Sequence, residues 1–282
     1  DINFDELDDE DYDRVVSNLE DEDDPLSLMI EVLALIFESH QTTFLQPFQF
    51  KLFPRLMTYF NQTEKLDQTS FAVAIIGSVI CDGKVFDFFP QVFETLLRYT
   101  ASTDPDLANN AIYYIGAFSK LGMPQYQTVL PTIVSNMGKM LNRSRTRSSL
   151  KIADQVILCF GTILANYAPV LPNAQQILAQ VLQMFPANST YESLIEMLVE
   201  LHTKNLLIPG LQLFQDQADA IYRLVVFLAA AVEKDAPLPA VKNNIVLLVT
   251  ALNTYAGQQT TAAVWQRLTT EQKGDLDALF RK

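Results

Sequence analysis

Cysteine, histidine and glycine are scarce in this chain: two, two and nine residues respectively out of 282. Cys81 and Cys159 are too far apart for any metal-ligand or redox spacing and suit buried thiols in a reducing compartment. His40 and His202 are equally isolated, and each is read as structural or solvated. No glycine-rich phosphate loop and no nucleophile elbow occurs. Neither an enzyme nor a cofactor- or metal-binding protein is therefore expected. Long hydrophobic runs are missing too. The longest, Leu224 to Val232, has nine residues between Arg223 and Glu233, against the roughly 20 a membrane span needs. With no secretory signal and a first residue that is Asp rather than Met, the expectation is a soluble intracellular piece of something longer, without membrane insertion.

Against these absences stands one concentration of charge. The stretch from Asp1 to Asp24 carries 13 acids and one base, Arg14, while the remainder of the chain is nearly neutral. Asp8, Asp9, Glu10, Asp11 and Asp13 form one acidic group and Glu20, Asp21, Glu22, Asp23 and Asp24 another. Such a block attracts basic partners over roughly 8–10 Å. Tyr12, Val15, Val16 and Leu19 recur at i, i+3, i+4 and i+7, which predicts a partly helical segment with one apolar side.

Self-similarity sets the expected architecture. Phe53-Pro54-Arg55-Leu56-Met57, Phe89-Pro90-Gln91-Val92-Phe93 and Leu130-Pro131-Thr132-Ile133-Val134 repeat one motif, with its proline at positions 54, 90 and 131. Gly77, Gly116 and Gly161 each follow an apolar helical run and recur at a similar interval. A glycine inside a helix costs about 1 kcal/mol relative to alanine, so its recurrence predicts close helix crossings, and added bulk at Gly116 is expected to destabilise. A period near 40 points to stacked helical hairpins of the HEAT type: all-α, a right-handed superhelical solenoid of five to six hairpins with no sheet.

The expected pairs cover 26–39 with 44–60, 64–81 with 85–100, 105–120 with 124–142, and 147–167 with 170–185. Less regular helices follow near 190–204, 216–233, 238–256 and 260–268, then a short last one. This gives an acidic segment over 1–24, regular hairpins over 25–187 and irregular repeats with a capping helix over 188–282. Asp104-Pro105-Asp106 is a helix start, and Thr269 with Gln272 has capping-box spacing.

Three surface features remain. Asp87, Gln91, Glu94 and Arg98 form a polar stripe opposite Phe86, Phe89, Phe93 and Leu97. Arg143, Arg145, Arg147 and Lys151 make a basic patch between two helices. No aromatic residues interleave with it, so a solvated loop is expected rather than direct nucleic-acid binding. Glu192, Glu196 and Glu200 lie at i, i+4 and i+8, an acidic stripe that is a candidate protein-binding face.

The order of motifs resembles the C-terminal HEAT-repeat region of a β-karyopherin (the importin-β superfamily), nearest to the branch carrying ribosomal proteins and histones. The resemblance runs through Glu38-Ser39-His40-Gln41-Thr42-Thr43-Phe44-Leu45-Gln46-Pro47-Phe48, Asp104-Pro105-Asp106 to Gly116, Leu130-Pro131, Thr190-Tyr191-Glu192 to Leu201, and Val264-Trp265-Gln266-Arg267-Leu268-Thr269-Thr270-Glu271-Gln272. It implies an import receptor that binds basic cargo and nucleoporin Phe-Gly repeats and shuttles between cytoplasm and nucleus through the nuclear pore. Loading would be controlled by Ran-GTP, which binds repeats upstream of this piece. The weakly acidic stripes depart from a strong basic-cargo surface and shift the expected attraction to the acidic head and the Glu192 stripe. The alternative is a HEAT scaffold subunit of a phosphatase or a chromosome-associated assembly.

Overall fold

Prolines and caps divide the chain into helices. The computed structural model describes residues 25–62, 64–81, 83–141, 150–187, 191–235 and 239–280, and among these every regular element is helical. The helices are α1 (Pro25–Pro47), α2 (Phe53–Phe60), α3 (Leu66–Cys81), α4 (Phe89–Tyr99), α5 (Pro105–Phe118), α6 (Pro124–Leu141) and α7 (Leu150–Tyr167). They continue with α8 (Ala174–Gln183), α9 (Tyr191–Thr203), α10 (Leu207–Leu211), α11 (Gln217–Asp235), α12 (Pro239–Arg267) and α13 (Thr270–Phe280). The expected all-helical class is found. The chain forms two compact units, Asp1–Ala153 and Asp154–Lys282.

Local chemistry explains most of the boundaries. The Leu107 N–H donates to Asp104 Oδ1 at 2.7 Å, so Asp104 caps α5, with Pro105 at its first position. Before α13 the Thr269 N–H donates to Gln272 Oε1 at 3.0 Å and the Gln272 N–H returns to Thr269 Oγ1 at 3.1 Å. This is the reciprocal capping box expected from the sequence.

The three prolines behave differently from one another. Pro54 and Pro90 sit in the first turns of α2 and α4, while Pro131 lies inside α6. Proline offers no N–H to the carbonyl four residues back and crowds it. Ahead of Pro54 the chain takes a π-helical turn, Phe48–Leu52, in which the Phe53 N–H reaches Phe48 O; ahead of Pro90 it takes a 3-10 turn, Phe86–Phe88.

Two expected loops are kinks within continuous helices: α1 breaks at His40 (φ −134°) and α12 at Gly257 (φ 72°, ψ 168°), a conformation open to glycine. The short α10 has no counterpart in the sequence reading.

In the first unit α3 packs on α1 and α5, while α4 packs on α6 and, across the layer, on α5. In the second, α12 packs on α9 and α11, and α11 on α13. Phe53 and Phe88 stack with centroids 4.0 Å apart, and buried Phe37, Phe48, Phe60, Phe89 and Phe118 extend that core.

Polar contacts keep the sequence period. In the first unit Asn110 Nδ2 donates to Ser70 Oγ at 2.8 Å and Ser78 Oγ meets Tyr114 Oη at 3.0 Å, while Tyr99 Oη donates to Phe60 O; the separations are 40, 36 and 39 residues. In the second, Arg223 Nη1 donates to Gln183 O at 2.9 Å and Tyr255 Oη to Gln217 Oε1 at 3.0 Å, separations of 40 and 38.

At Gly77 and Gly161 the glycine register has a steric basis. A Cβ at Gly77 would fall 2.3 Å from the Tyr114 ring, and one at Gly161 would fall 1.6 Å from Met197 Sδ. Gly116 is buried in α5. Gly210 is tight as well, though less so, with Leu178 atoms 2.8 Å from its Cβ position, and the period did not single it out.

In the second unit Asp219 joins α11 to the end of α12. Arg267 Nη2 approaches Asp219 Oδ1 to 2.7 Å, with its guanidinium 3.9 Å over the Tyr222 ring, and Arg223 Nε stands 3.1 Å from Asp219 Oδ2. The hydrogen bond from Arg267, aided by the charges of Arg223 and Arg267, holds the Asp219 carboxyl below its ordinary value.

Gly77→Ala should destabilise the protein by about 1–3 kcal/mol through overpacking against the Tyr114 ring, although alanine is the better helix former. Gly138→Ala, where a Cβ meets nothing within 4 Å, should be neutral or stabilising by up to about 1 kcal/mol. Chemical denaturation of both variants checks the pair, and equal effects would remove the steric account. For Asp219, a folded-state pKa below the unfolded one adds stability above the ordinary value of 3.8 that is lost as pH falls through the lower folded value. Asp219→Asn should therefore melt below the parent at pH 7, with the gap closing as pH falls below that ordinary value.

Candidate protein-binding site

The acidic head, including Asp8, Asp9, Glu10, Asp11, Asp13 and Glu20 to Asp24, lies outside the described residues, as does the basic loop of Arg143, Arg145 and Arg147. The acidic stripe of α9 is within them. Apolar residues on one side of α9, Leu194, Ile195, Leu198 and Leu201, are buried, and this turns Glu192 and Glu196 outward to solvent. Glu200 differs from them: Lys204 Nζ stands 2.8 Å from its Oε1, an i, i+4 ion pair. The stripe thus presents two carboxylates facing water and a third already paired. Its field is weaker than three like charges in line would give.

Cys159 is fully buried and its thiol is pushed well above the ordinary range by desolvation, the opposite of an activated nucleophile. His40 is exposed and His202 half-buried, on different helices. Among the described residues no group of three or more His, Cys, Asp and Glu could hold a metal ion, and no helix is long and apolar enough to cross a membrane.

A second surface emerges only in three dimensions. Between α4 and α6 runs a groove of about 670 Å³, within the range of ligand-sized clefts. Phe93, Leu97, Val129 and Met140 supply its apolar lining, and Glu94, Arg98, Thr132, Asn136 and Lys139 its polar edges. The sequence placed Glu94 and Arg98 on one exposed helical stripe, and both are exposed. It gave no sign that α6 would complete a groove with them.

Arg98 sits in the last turn of α4, where its Nη2 donates to Thr95 Oγ1 at 2.9 Å; Lys139 occupies the last turn of α6, with Nζ 3.4 Å from Asn136 Oδ1. Neither makes an ion pair among the described residues. Arg98 lies eight positions after Pro90 and Lys139 eight after Pro131, so the two bases hold equivalent places in consecutive repeats. That shared offset from proline was the available signal. Comparison of the chain with protein-family models and with curated proteins finds no match.

Proposed function

We propose that this chain is a binding module rather than an enzyme: the C-terminal HEAT-repeat part of a nuclear transport receptor of the β-karyopherin kind. In this reading stacked hairpins form a superhelical solenoid that takes basic protein cargo, with nucleoporin Phe-Gly repeats as a second class of partner. Ran-GTP acts through repeats upstream, and the receptor shuttles between cytoplasm and nucleus. The observation that carries the reading is the period. Side-chain hydrogen bonds in both units join residues 36 to 40 apart, matching the spacing of the proline and glycine motifs. Repeated hairpins stacked in register are built to present extended surfaces for other proteins. The acidic head beside a nearly neutral remainder supports a basic ligand.

The test is titration of a labelled histone-tail peptide against the full chain at 0.1 M and 1 M salt, where the Debye length falls from about 10 Å to 3 Å. Neutralising Asp8, Asp9, Glu10, Asp11 and Asp13 to Asn or Gln should remove most of the binding. Glu192→Gln with Glu196→Gln should remove less, and Glu200→Gln alone least, because Lys204 already neutralises that carboxylate. Affinity indifferent to salt and to all these changes would end the cargo reading. Binding that persists in the upstream-extended receptor after addition of Ran-GTP would favour a fixed scaffold over an import receptor.

A further inference from the structure

The α4–α6 groove has the wrong sign for basic cargo. Its polar edges carry two cations, Arg98 and Lys139, against one carboxylate, Glu94. Arg98 comes from α4 and Lys139 from α6, so each of the two helices brings one base to the groove. Phe93, Leu97, Val129 and Met140 give it an apolar floor, of which Leu97 and Val129 are half-buried and still meet water.

We propose that this groove is a docking site for an acidic peptide segment of a partner protein, one with carboxylates on either side of an aromatic or aliphatic anchor. The anchor enters between α4 and α6 and gains the burial of its own surface and of the floor. The flanking carboxylates accept charge-assisted hydrogen bonds from the Arg98 guanidinium and the Lys139 ammonium. The site is independent of the acidic surfaces proposed for basic cargo and calls for a ligand of opposite charge.

The same two bases have a competing explanation. Each stands at a helix C-terminus, where a cation offsets the negative end of the dipole. That role requires no ligand and makes no use of the apolar floor, so the two accounts separate experimentally.

The probe is a dye-labelled nine-residue peptide, Glu-Asp-Glu-Phe-Glu-Asp-Leu-Asp-Glu, followed by fluorescence anisotropy with the full chain at 0.05 M and 0.3 M salt. Saturable binding that weakens with salt is expected, together with a loss of tenfold or more in affinity for Arg98→Glu and for Lys139→Glu. Replacing Phe and Leu of the probe by Ser should cost a similar factor, because the floor then goes unused. Thr132→Trp keeps the charge while filling the groove, and it should block the probe even if a charge reversal impairs folding. Circular dichroism melts accompany every variant. Three results would overturn the proposal: no saturable binding to the parent, binding unchanged by Thr132→Trp and by both reversals while melting temperatures fall, or binding abolished only by Arg143→Glu with Arg145→Glu.

Discussion

The close approach of helices one repeat apart is the constraint on which the first unit depends. Along α3 and α5, Ser70 meets Asn110, Gly77 lies under the Tyr114 ring, and Ser78 meets the Tyr114 hydroxyl. These contacts lie about two turns apart on α3 and one turn apart on α5, and so fix register as well as distance. The ring fits only because residue 77 has no Cβ, and the hydroxyl at the far end of the ring is buried and must find a partner. A one-residue slip would leave Tyr114 without Ser78 and drive its ring into a side chain. Dispersion and burial supply the attraction, while the glycine and the two polar pairs select a single arrangement.

The second unit reaches order by other means. Its elements are less equal in length: α10 is a single short helix and α12 runs on past a kink at Gly257. Asp219 holds the far end of α12 through Arg267, with Tyr222 beneath the guanidinium and Arg223 on the other carboxylate oxygen. This is a polar clamp in partly solvated surroundings. Its carboxylate can be protonated by acid, whereas the apolar contacts in the first unit do not titrate.

Charge is divided along the chain in a way that bears on binding. The acids are concentrated between Asp1 and Asp24, and one of the three glutamates on α9 is paired. The groove between α4 and α6 carries the opposite sign over an apolar floor. A chain with both kinds of surface can discriminate partners by repulsion as well as by attraction. Net charge alone would have assigned it basic ligands throughout.

Many helix limits, the capping box at Thr269 and Gln272, the cap at Asp104 and the period near 40 were legible in the sequence, whereas the kinks at His40 and Gly257 and the short α10 were not. Each legible feature depends on residues three or four apart, or on a motif that repeats, and such relations survive in one dimension. The acidic stripe was legible for the same reason, but the pairing of Glu200 with Lys204 was read only from the structure. Tertiary structure alone decided the rest. Gly77 and Gly138 are both helical glycines, yet a Cβ on one would strike an aromatic ring and a Cβ on the other would meet open space, because the neighbour that matters at Gly77 is Tyr114, one hairpin further along the chain. The groove likewise needed α4 and α6 side by side before Arg98 and Lys139 could share a surface. Local chemistry determined where helices begin and end; which side chains oppose each other was set by how those helices pack.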